Sequence, residues 1–412
     1  MNSSLRGSNI ITVKAHNMQV VLLNLLYEEY LSRIELAERT NLSNTTISNL
    51  IAELMEDGLV QECDFEESDI TANRPVGRPR TAVCLQPNAR YVIGIHVGIG
   101  MFRVAINNLK NEIIFNRMEN YDTQEQPFFV LEQIASCVES LIAESNLSKD
   151  QILGVGVGLS GIVDFESGVN VVAPNLGWQN IPARTFLAER LNLPVITDNN
   201  VRCMALGETY FGSGRGHDSL VFVYGRVGVG AGFICKGQVF RGSSMGAGEF
   251  GHNIMLIEDG NASTEAKHAE LETLVSETAI LKQAEEIYHM HPQGILANVV
   301  RENPDLKRID CVVKAADQGD ELIKAMLTDR AYYLGIGLVN MVNLYNPELI
   351  ILGGLFAQAE KFFVEPVTKT IQELAFANLG KQVQIEVTQF GWKAGVIGAA
   401  ALALTTYFYF SD

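Results

Sequence analysis

The chain of 412 residues carries a formal net charge of −17, and 47% of its residues are hydrophobic. A chain of this length is too long to fold around one hydrophobic core of ordinary size, so we expect two or three domains. The composition is typical of a well-packed soluble protein and excludes a largely disordered chain. The negative charge argues against general affinity for nucleic acid, so any DNA contact must come from a local element.

Several features favour a cytoplasmic protein without membrane contact. The first residues lack the basic region and apolar core of a secretory signal peptide. The six cysteines are scattered and form no CxxC pair, as in proteins whose thiols stay reduced. The uncharged run from Ala394 to Phe410 is rich in glycine and alanine and is shorter than a full membrane span. It predicts a buried C-terminal helix.

Residues 17–59 carry the pattern of three helices. Ser32 with Glu35 forms a capping-box pattern at the start of the second helix. Ser43 begins the third helix, and Gly58 ends it. Helix, tight turn and polar-faced helix predict a helix-turn-helix. The face of the third helix that would read a major groove carries short polar side chains, namely Asn44, Thr45, Thr46, Ser48 and Asn49.

Two short strands after these helices, at 59–63 and 81–85, predict a wing. The loop between them ends in an arginine-rich stretch, with Arg74, Arg78 and Arg80, of the kind that enters a narrow minor groove. Acidic residues outnumber basic ones over residues 1–90, which favours the alternative of a helical protein-interaction module. The agreement of helix order, wing and arginines favours DNA binding.

From residue 90 onward, apolar strands alternate with helices. Residues 91–98, 102–107 and 113–118 predict a three-stranded meander, followed by a helix and another strand. Polar residues come directly after strand ends, which predicts an α/β fold with a ligand cleft there. The meander–helix–strand pattern recurs from Leu220, so we expect two similar lobes.

The stretch 221–252 is dense in glycine and ends in Glu249 and His252. Glycine-rich turns let backbone N–H groups converge on an anionic or heavily hydroxylated ligand. A β-hairpin whose glycines only make tight turns is the alternative. Glu249 is an acceptor and His252 a switchable donor, a combination that suits sugar hydroxyls.

Three stretches in this order, 173–178 (APNLGW), 198–208 and 225–252, resemble the ROK (repressor, open reading frame, kinase) family. The resemblance covers nearly the whole chain and is to the repressor branch, of the xylose and N-acetylglucosamine type. It implies an α/β protein in which a winged helix-turn-helix precedes a two-lobed, actin-like (ribonuclease-H-like) sugar-kinase fold. We expect four parts, namely a DNA-binding domain at 1–88, lobes at 89–200 and 201–390, and a C-terminal helix at 391–412 that packs back on the body.

The resemblance also implies a sugar site. Each residue taken alone could be an ordinary turn or cap residue, but the set favours a sugar or sugar-phosphate effector. The family's sugar-binding positions fall here on Gly161, Asn175, Asn199, Asn200, Glu249, His252 and Glu272.

The kinase machinery that the family carries is changed in this chain. Phosphoryl transfer needs a base at the sugar hydroxyl and a cradle for phosphate and metal. The family's catalytic aspartate falls on Asn200, whose amide cannot take a proton, and its phosphate loop, beginning at His96, lacks the acidic residue and the hydroxyl. Asp198 is an alternative base, but its position in the motif usually points elsewhere. We therefore expect no catalytic residue and no cofactor.

Members of the family commonly hold a structural zinc with one histidine and three cysteines. His252 is present here, but residues 253–272 contain no cysteine. His268 with Glu265 or Glu270 could make a substitute site, although a lone histidine in an acidic loop is more often solvated. We predict no metal, and the loop 256–268, held by packing alone, is then a candidate mobile element.

These features favour a transcription regulator, in which the winged helices of a homodimer or homotetramer bind a DNA operator. The kinase-derived body would bind a sugar effector without phosphorylating it. Two alternatives stay open. One is an active ATP-dependent sugar kinase with a fused DNA-binding domain, and the other is a regulator controlled by a protein partner.

Overall fold

A computed structural model describes residues 10–63, 82–257 and 267–410 of the chain. Its contacts divide the chain into two compact units. The first unit comprises Met1–Val157, Ala183–Ile196 and Ala400–Asp412, and the second comprises Gly158–Pro182 and Thr197–Ala399. The four-part division expected from the sequence remains a prediction.

The helices are α1 (Ile10–Tyr27), α2 (Arg33–Thr40), α3 (Asn44–Glu56), α4 (Pro127–Ser145), α5 (Ala183–Leu191), α6 (Asn200–Phe211), α7 (Glu272–Val275), α8 (Glu277–Met290), α9 (Ile295–Glu302), α10 (Arg308–Asp317), α11 (Glu321–Tyr345), α12 (Leu355–Gln358), α13 (Glu360–Leu374), α14 (Leu379–Gln382) and α15 (Ala394–Leu404). The strands are β1 (Leu31–Ser32), β2 (Val60–Cys63), β3 (Ala82–Leu85), β4 (Tyr91–Gly98), β5 (Met101–Asn108), β6 (Ile113–Asn120), β7 (Ile152–Leu159), β8 (Ile162–Asp164), β9 (Val169–Ala173), β10 (Trp178–Ile181), β11 (Val195–Asn199), β12 (Ser219–Gly225), β13 (Val229–Cys235), β14 (Gln238–Phe240), β15 (Ile254–Ile257), β16 (Lys267–Glu270), β17 (Leu349–Gly354) and β18 (Gln384–Val387).

The first three helices and the sheet β1-β3-β2 form the winged-helix part of the first unit. The capping box is confirmed, because the Ser32 hydroxyl accepts from the Glu35 backbone N–H at 3.2 Å while the Glu35 carboxylate accepts from the Ser32 N–H at 2.9 Å. Ser43 caps α3 as expected. Gly58 follows the end of α3 with φ +69°, a conformation that glycine adopts without strain. The fully buried side chains of this part include Val21, Leu25, Leu36, Ile47 and Ile51.

A five-stranded sheet of order β11-β7-β4-β5-β6 follows in the first unit, and the last residues of β7 and β11 are counted with the second. The predicted meander is confirmed as β4, β5 and β6, which pair antiparallel in sequence order. Helix α15 is buried, as expected, and continues into a π-helical turn, Thr405–Tyr409, that contacts α1. The Tyr409 hydroxyl donates to the Leu109 carbonyl at 2.7 Å. The turn 405–409 is therefore packed into the core of the first unit.

The second unit contains a sheet of order β14-β13-β12-β17-β18. Strands β12, β13 and β14 form an antiparallel meander, and β12, β17 and β18 run parallel. The recurrence of the meander in the second half of the chain is thus confirmed. The unit's large apolar core lies between this sheet and helices such as α11 and α13, with Phe356, Phe363 and Leu334 among its fully buried side chains.

Two local features differ from the sequence-based expectation. The apolar pattern of residues 271–288 predicts one helix, but the structure has two, because the Ser276 hydroxyl accepts from the Ala279 N–H at 3.2 Å and starts a new helix there. The short strands β8, β9 and β10 were not foreseen, because three to five residues give too little alternation to predict a strand. Across the described ranges, none of the helices has the length and hydropathy needed to span a membrane.

Candidate functional site

Helix α3 presents the polar face expected of a recognition helix. Asn44, Thr45, Ser48 and Asn49 are exposed, on the side opposite the buried Ile47. Thr46, also in the predicted set, is only partly exposed. Its hydroxyl lies 2.9 Å from the Ser43 hydroxyl, so it belongs to the helix cap. The wing arginines Arg74, Arg78 and Arg80 lie outside the described residues.

All seven predicted sugar-binding residues lie in the second unit. Asn199 is the N-cap of α6, where its side-chain oxygen accepts from the N–H groups of Val201 at 2.9 Å and Arg202 at 3.1 Å. Its side-chain nitrogen donates to the Gly161 carbonyl at 2.9 Å. Asn199 is therefore a cap residue, and because its amide group has a second hydrogen besides the one donated to Gly161, its role in ligand binding stays a prediction.

Gly161 and Asn200 flank this cap. Gly161 has φ +83°, and a Cβ there would lie 2.2 Å from the Val172 carbonyl oxygen, so only glycine fits this turn. The Asn200 side-chain nitrogen lies 3.4 Å from the Ser160 hydroxyl, and its oxygen accepts from the Val201 N–H at 2.9 Å. The Asn200 carboxamide is thus held beside the turn after β7.

A second group forms around Glu272, the first residue of α7. Its carboxylate accepts from the Val229 N–H at 3.3 Å. A Cβ on Gly228 would lie 3.0 Å from that carboxylate and 3.9 Å from the Asn175 side-chain nitrogen, so Gly228 is close to both side chains. A Cβ on Gly251 would lie 2.4 Å from the Val229 carbonyl oxygen. Glycine at 228 and 251 permits this close approach.

His252 faces three carboxylates. Its Nδ1 lies 2.8 Å from Glu270 Oε2, and the ring is 55% exposed. The hydrogen bond to Glu270 is the main cause of the raised pKa of His252, and the negative charges of Glu272, Glu270 and Glu249 add to it. Glu249 is exposed and precedes the 3₁₀ turn that carries His252. Glu270 was not in the predicted set, and its place two residues before Glu272 was the available signal.

Strand β13 brings the two groups side by side. Val229 contacts Glu272, and a Cβ on the next residue, Gly230, would lie 3.1 Å from the Val201 side chain at the start of α6. Successive residues of a strand are only about 3.3 Å apart. The Asn199 group and the Glu272 group therefore border one stretch of β13.

The alternative base Asp198 is 1% exposed. One of its oxygens accepts from Arg202 Nε at 2.7 Å, and the other accepts from Arg241 Nε at 2.8 Å. A carboxylate enclosed in this way and bound to two guanidinium groups is not presented to a ligand.

His96, which the resemblance places at the start of the family's phosphate loop, lies in β4 of the first unit, opposite Arg103 in the register. Burial, and then the positive charge of Arg103, lower the pKa of His96 to about 4. The ring is therefore neutral near pH 7 and supplies neither a carboxylate for a metal ion nor a positive charge for a phosphate.

The family's zinc site does not fit these residues, because residues 253–272 contain no cysteine and His252 Nδ1 is already bound to Glu270. The expected substitute pairing is also different, since Glu270 pairs with His252, whereas His268 lies opposite Leu256 in the β15–β16 hairpin. Glu265 and most of the loop 256–268 lie outside the described residues. In the part of the chain that the structure describes, the cation-binding group that could form comprises His252, Glu270 and Glu272, with ligand atoms within 4.8 Å of one another.

Comparison with known proteins agrees with this architecture. The ROK family model matches residues 92–406, and a winged helix-turn-helix DNA-binding model matches residues 21–61. The chain is 29% identical to a xylose repressor of Caldicellulosiruptor bescii over 98% of this chain and 99% of that protein. It is 29% identical to a glucokinase of Halalkalibacterium halodurans, over 76% of this chain and 94% of that protein.

Among solved structures, a ROK family transcriptional regulator described as a homologue of the Escherichia coli MLC protein superposes with a TM-score of 0.77. It is 24% identical and covers 95% of this chain and 96% of its own, so it shows the shared fold. With the family model spanning most of its length, the chain belongs to the ROK family.

Proposed function

We propose that this protein is a transcriptional repressor whose winged helix binds a DNA operator and whose second unit binds a sugar as effector. The observation that supports the proposal is that one chain combines a winged helix-turn-helix, whose third helix exposes a polar face, with a group of hydrogen-bonding side chains in its second unit. The xylose repressor that aligns over nearly the whole length supports it. The cytoplasm is the compartment in which such a protein would act.

The sugar site combines acceptors and donors on a rigid frame. Glu249 and Glu272 would accept from hydroxyl groups, His252 would bridge, and Asn199 would donate its remaining amide hydrogen. Gly161, Asn175 and Asn200 complete the set. Because Asn199 and Glu272 are themselves held by backbone contacts, the site needs little ordering when a ligand binds.

We further propose that the effector is bound and not phosphorylated. Asn200 cannot accept a proton, and Asp198 is enclosed by two arginines. His96 stands where the family's phosphate loop has an acidic residue. The second candidate is an active sugar kinase with a fused DNA-binding domain, which the similarity to a glucokinase favours. ATP turnover separates the two.

The regulator would act as a homodimer or homotetramer on a palindromic operator, because two half-sites require two winged helices. A sugar that binds one conformation of the body better than another would shift the population and change the spacing of the winged helices. This coupling is part of the proposal.

Replacing Asn49 by Ala should weaken operator binding, since this exposed amide is placed to read a base edge. One such contact contributes about 1–3 kcal/mol, so we expect a loss of roughly tenfold or more in affinity. Fluorescence anisotropy with DNA from upstream of the protein's own gene, at fixed salt, measures it. The Glu56→Ala variant, at the exposed far end of α3, should lose no affinity. Equal operator affinities of the Asn49→Ala variant and wild type would contradict the proposal that α3 reads the operator.

Replacing Glu249 or His252 by Ala should abolish the response to sugar and leave operator affinity intact, because both residues belong to the second unit. The same assay is titrated with D-xylose and D-glucose, the sugars suggested by the named relatives. Glu286→Ala removes an exposed carboxylate from α8 of the same unit and should respond as wild type does. A surviving response in both site variants would place the effector elsewhere.

The ring of His252 should titrate above pH 6.5, because the hydrogen bond to Glu270 raises its pKa. The pair's contribution to stability is then complete below pH 6.5 and is lost as the pH rises through the raised folded-state pKa. NMR of the ring protons, assigned with His252→Gln, measures the titration. Glu270→Gln should lower the midpoint, whereas Glu38→Gln in α2 should not. A midpoint that Glu270→Gln leaves unchanged would disprove the pairing.

A further inference from the structure

A cluster of buried charges lies next to the proposed sugar site, in the second unit. Arg202 is 2% exposed and Asp198 is 1% exposed. Arg202 Nε donates to one oxygen of Asp198 at 2.7 Å, and Arg241 donates to the other through Nε and Nη2, both at 2.8 Å. Two guanidinium groups thus share one carboxylate. A buried arginine in such a place requires partners for its remaining N–H groups.

Those partners are backbone carbonyls of two other segments. Arg202 Nη1 donates to the Met245 carbonyl at 2.7 Å, and Nη2 donates to the Val163 carbonyl in β8 at 3.2 Å. Arg241 lies over the Phe165 ring, with 3.7 Å from the guanidinium carbon to the ring centroid. The cluster therefore ties together the end of β11, the strand β8 and the glycine-rich loop that contains Met245.

Each tied segment adjoins a residue of the proposed sugar site. Gly161 directly precedes β8, and Asn199 follows Asp198, whose carboxylate also accepts from the Asn199 N–H at 2.7 Å. The loop 242–248 leads directly into Glu249. The arginine cluster therefore contacts the segments that adjoin Gly161, Asn199 and Glu249.

The loop 242–248 contains a residue in a backbone conformation that needs support from surrounding contacts. Met245 has φ +57°, a left-handed conformation that residues other than glycine rarely adopt. Such a conformation persists where surrounding contacts hold it, and the Arg202 bond to the Met245 carbonyl is a contact of this kind. Gly248, with φ +103°, lies so close to β13 that a Cβ would be 2.0 Å from the Ala231 carbonyl oxygen.

We propose that Arg202 is a positioning residue for effector binding, which fixes the loop 242–248, and with it Glu249, relative to Asn199. The inference rests on the proposed function for its biological meaning. Its structural part, that Arg202 holds the loop 242–248 in place, can be tested without a sugar. Only arginine suits the position, since a planar fork reaches three acceptors that lie in different directions. The sequence pattern gave no sign of this role, because the partners of Arg202 lie as far away in the chain as Val163 and Met245.

The test compares wild type with Arg202→Met. Removal of Arg202 leaves Asp198 paired with Arg241, so no buried charge loses its last partner and the variant should fold, as circular dichroism will report. The matched control is Arg190→Met. Arg190 also binds two carboxylates, but in α5 of the first unit and near the surface.

Hydrogen–deuterium exchange of the sugar-free, full-length protein measures the loop directly. We expect peptides that cover 242–249 to exchange about tenfold faster or more in Arg202→Met, as the loss of hydrogen bonds from a charged donor implies. Peptides from β12 should be unchanged, and Arg190→Met should match wild type throughout the second unit. Unchanged exchange in the loop would overturn the proposal, and so would faster exchange across the whole unit, because that indicates a general structural role.

Arg202→Lys separates the shape of the side chain from its charge. An ammonium group keeps the charge beside Asp198 but cannot reach all three acceptors, so the loop should exchange nearly as fast as in Arg202→Met. Recovery of wild-type protection by lysine would contradict the proposal. If Arg202→Met fails to fold, Arg202→Lys is compared with wild type instead. Faster exchange confined to peptides that cover 242–249 then supports the proposal, and unchanged exchange there overturns it.

The part of the proposal that concerns effector binding is tested by measuring sugar affinity. The sugar is D-xylose or D-glucose, whichever shifts operator binding in wild type. Arg202→Met should lose about tenfold in sugar affinity and keep its operator affinity, since the variant disturbs only the loop. A wild-type protein that responds to neither sugar would count against the proposed function, whereas the exchange result would still decide the role of Arg202. An unaltered sugar affinity together with a loosened loop would overturn the positioning role.

Discussion

The start of α6 is the point on which the candidate site depends. There, the side-chain oxygen of Asn199 caps the helix, and its side-chain nitrogen donates to the Gly161 carbonyl. The preceding Asp198 accepts hydrogen bonds from two arginines. A helix N-terminus needs a cap for its unpaired N–H groups, so this geometry would exist without any ligand. The residue that caps the helix is also one of the predicted sugar-binding residues. A structural role that the contacts show and a proposed binding role therefore fall on the same residue, Asn199.

The proposal that the sugar is bound and not phosphorylated depends on individual side chains. The predicted hydroxyl-binding residues include Glu272, whose carboxylate is held by the Val229 N–H. By the family resemblance, an amide at Asn200 and the ring of His96, whose pKa is lowered to about 4, take positions that serve phosphoryl transfer in the family's kinases. An arrangement of this kind would bind a sugar and leave it chemically unchanged, which is what an effector site requires.

The features that could be predicted from the sequence are those that depend on residues close together in the chain. The caps at Ser32 and Ser43, the meander of β4 to β6 and its recurrence in β12 to β14 follow from short-range patterns, and the structure confirms them. The seven sugar positions came from the family resemblance, and they remain predictions. The place of Glu270 two residues before Glu272 was a signal, but neither its pairing with His252 nor the contact of Arg202 with the Met245 carbonyl could be foreseen. Both depend on partners that only the folded chain brings together.

The central claim is that the protein senses a sugar without phosphorylating it, and one measurement tests it most directly. Wild-type protein, fluorescent operator DNA, ATP and Mg²⁺ are combined, and D-xylose or D-glucose is titrated while DNA binding and ADP formation are followed in the same sample. The account predicts that one sugar shifts DNA binding at a concentration set by its affinity, with no ADP formed above the sugar-free rate. Formation of ADP in proportion to the added sugar would contradict it and would make the protein a kinase.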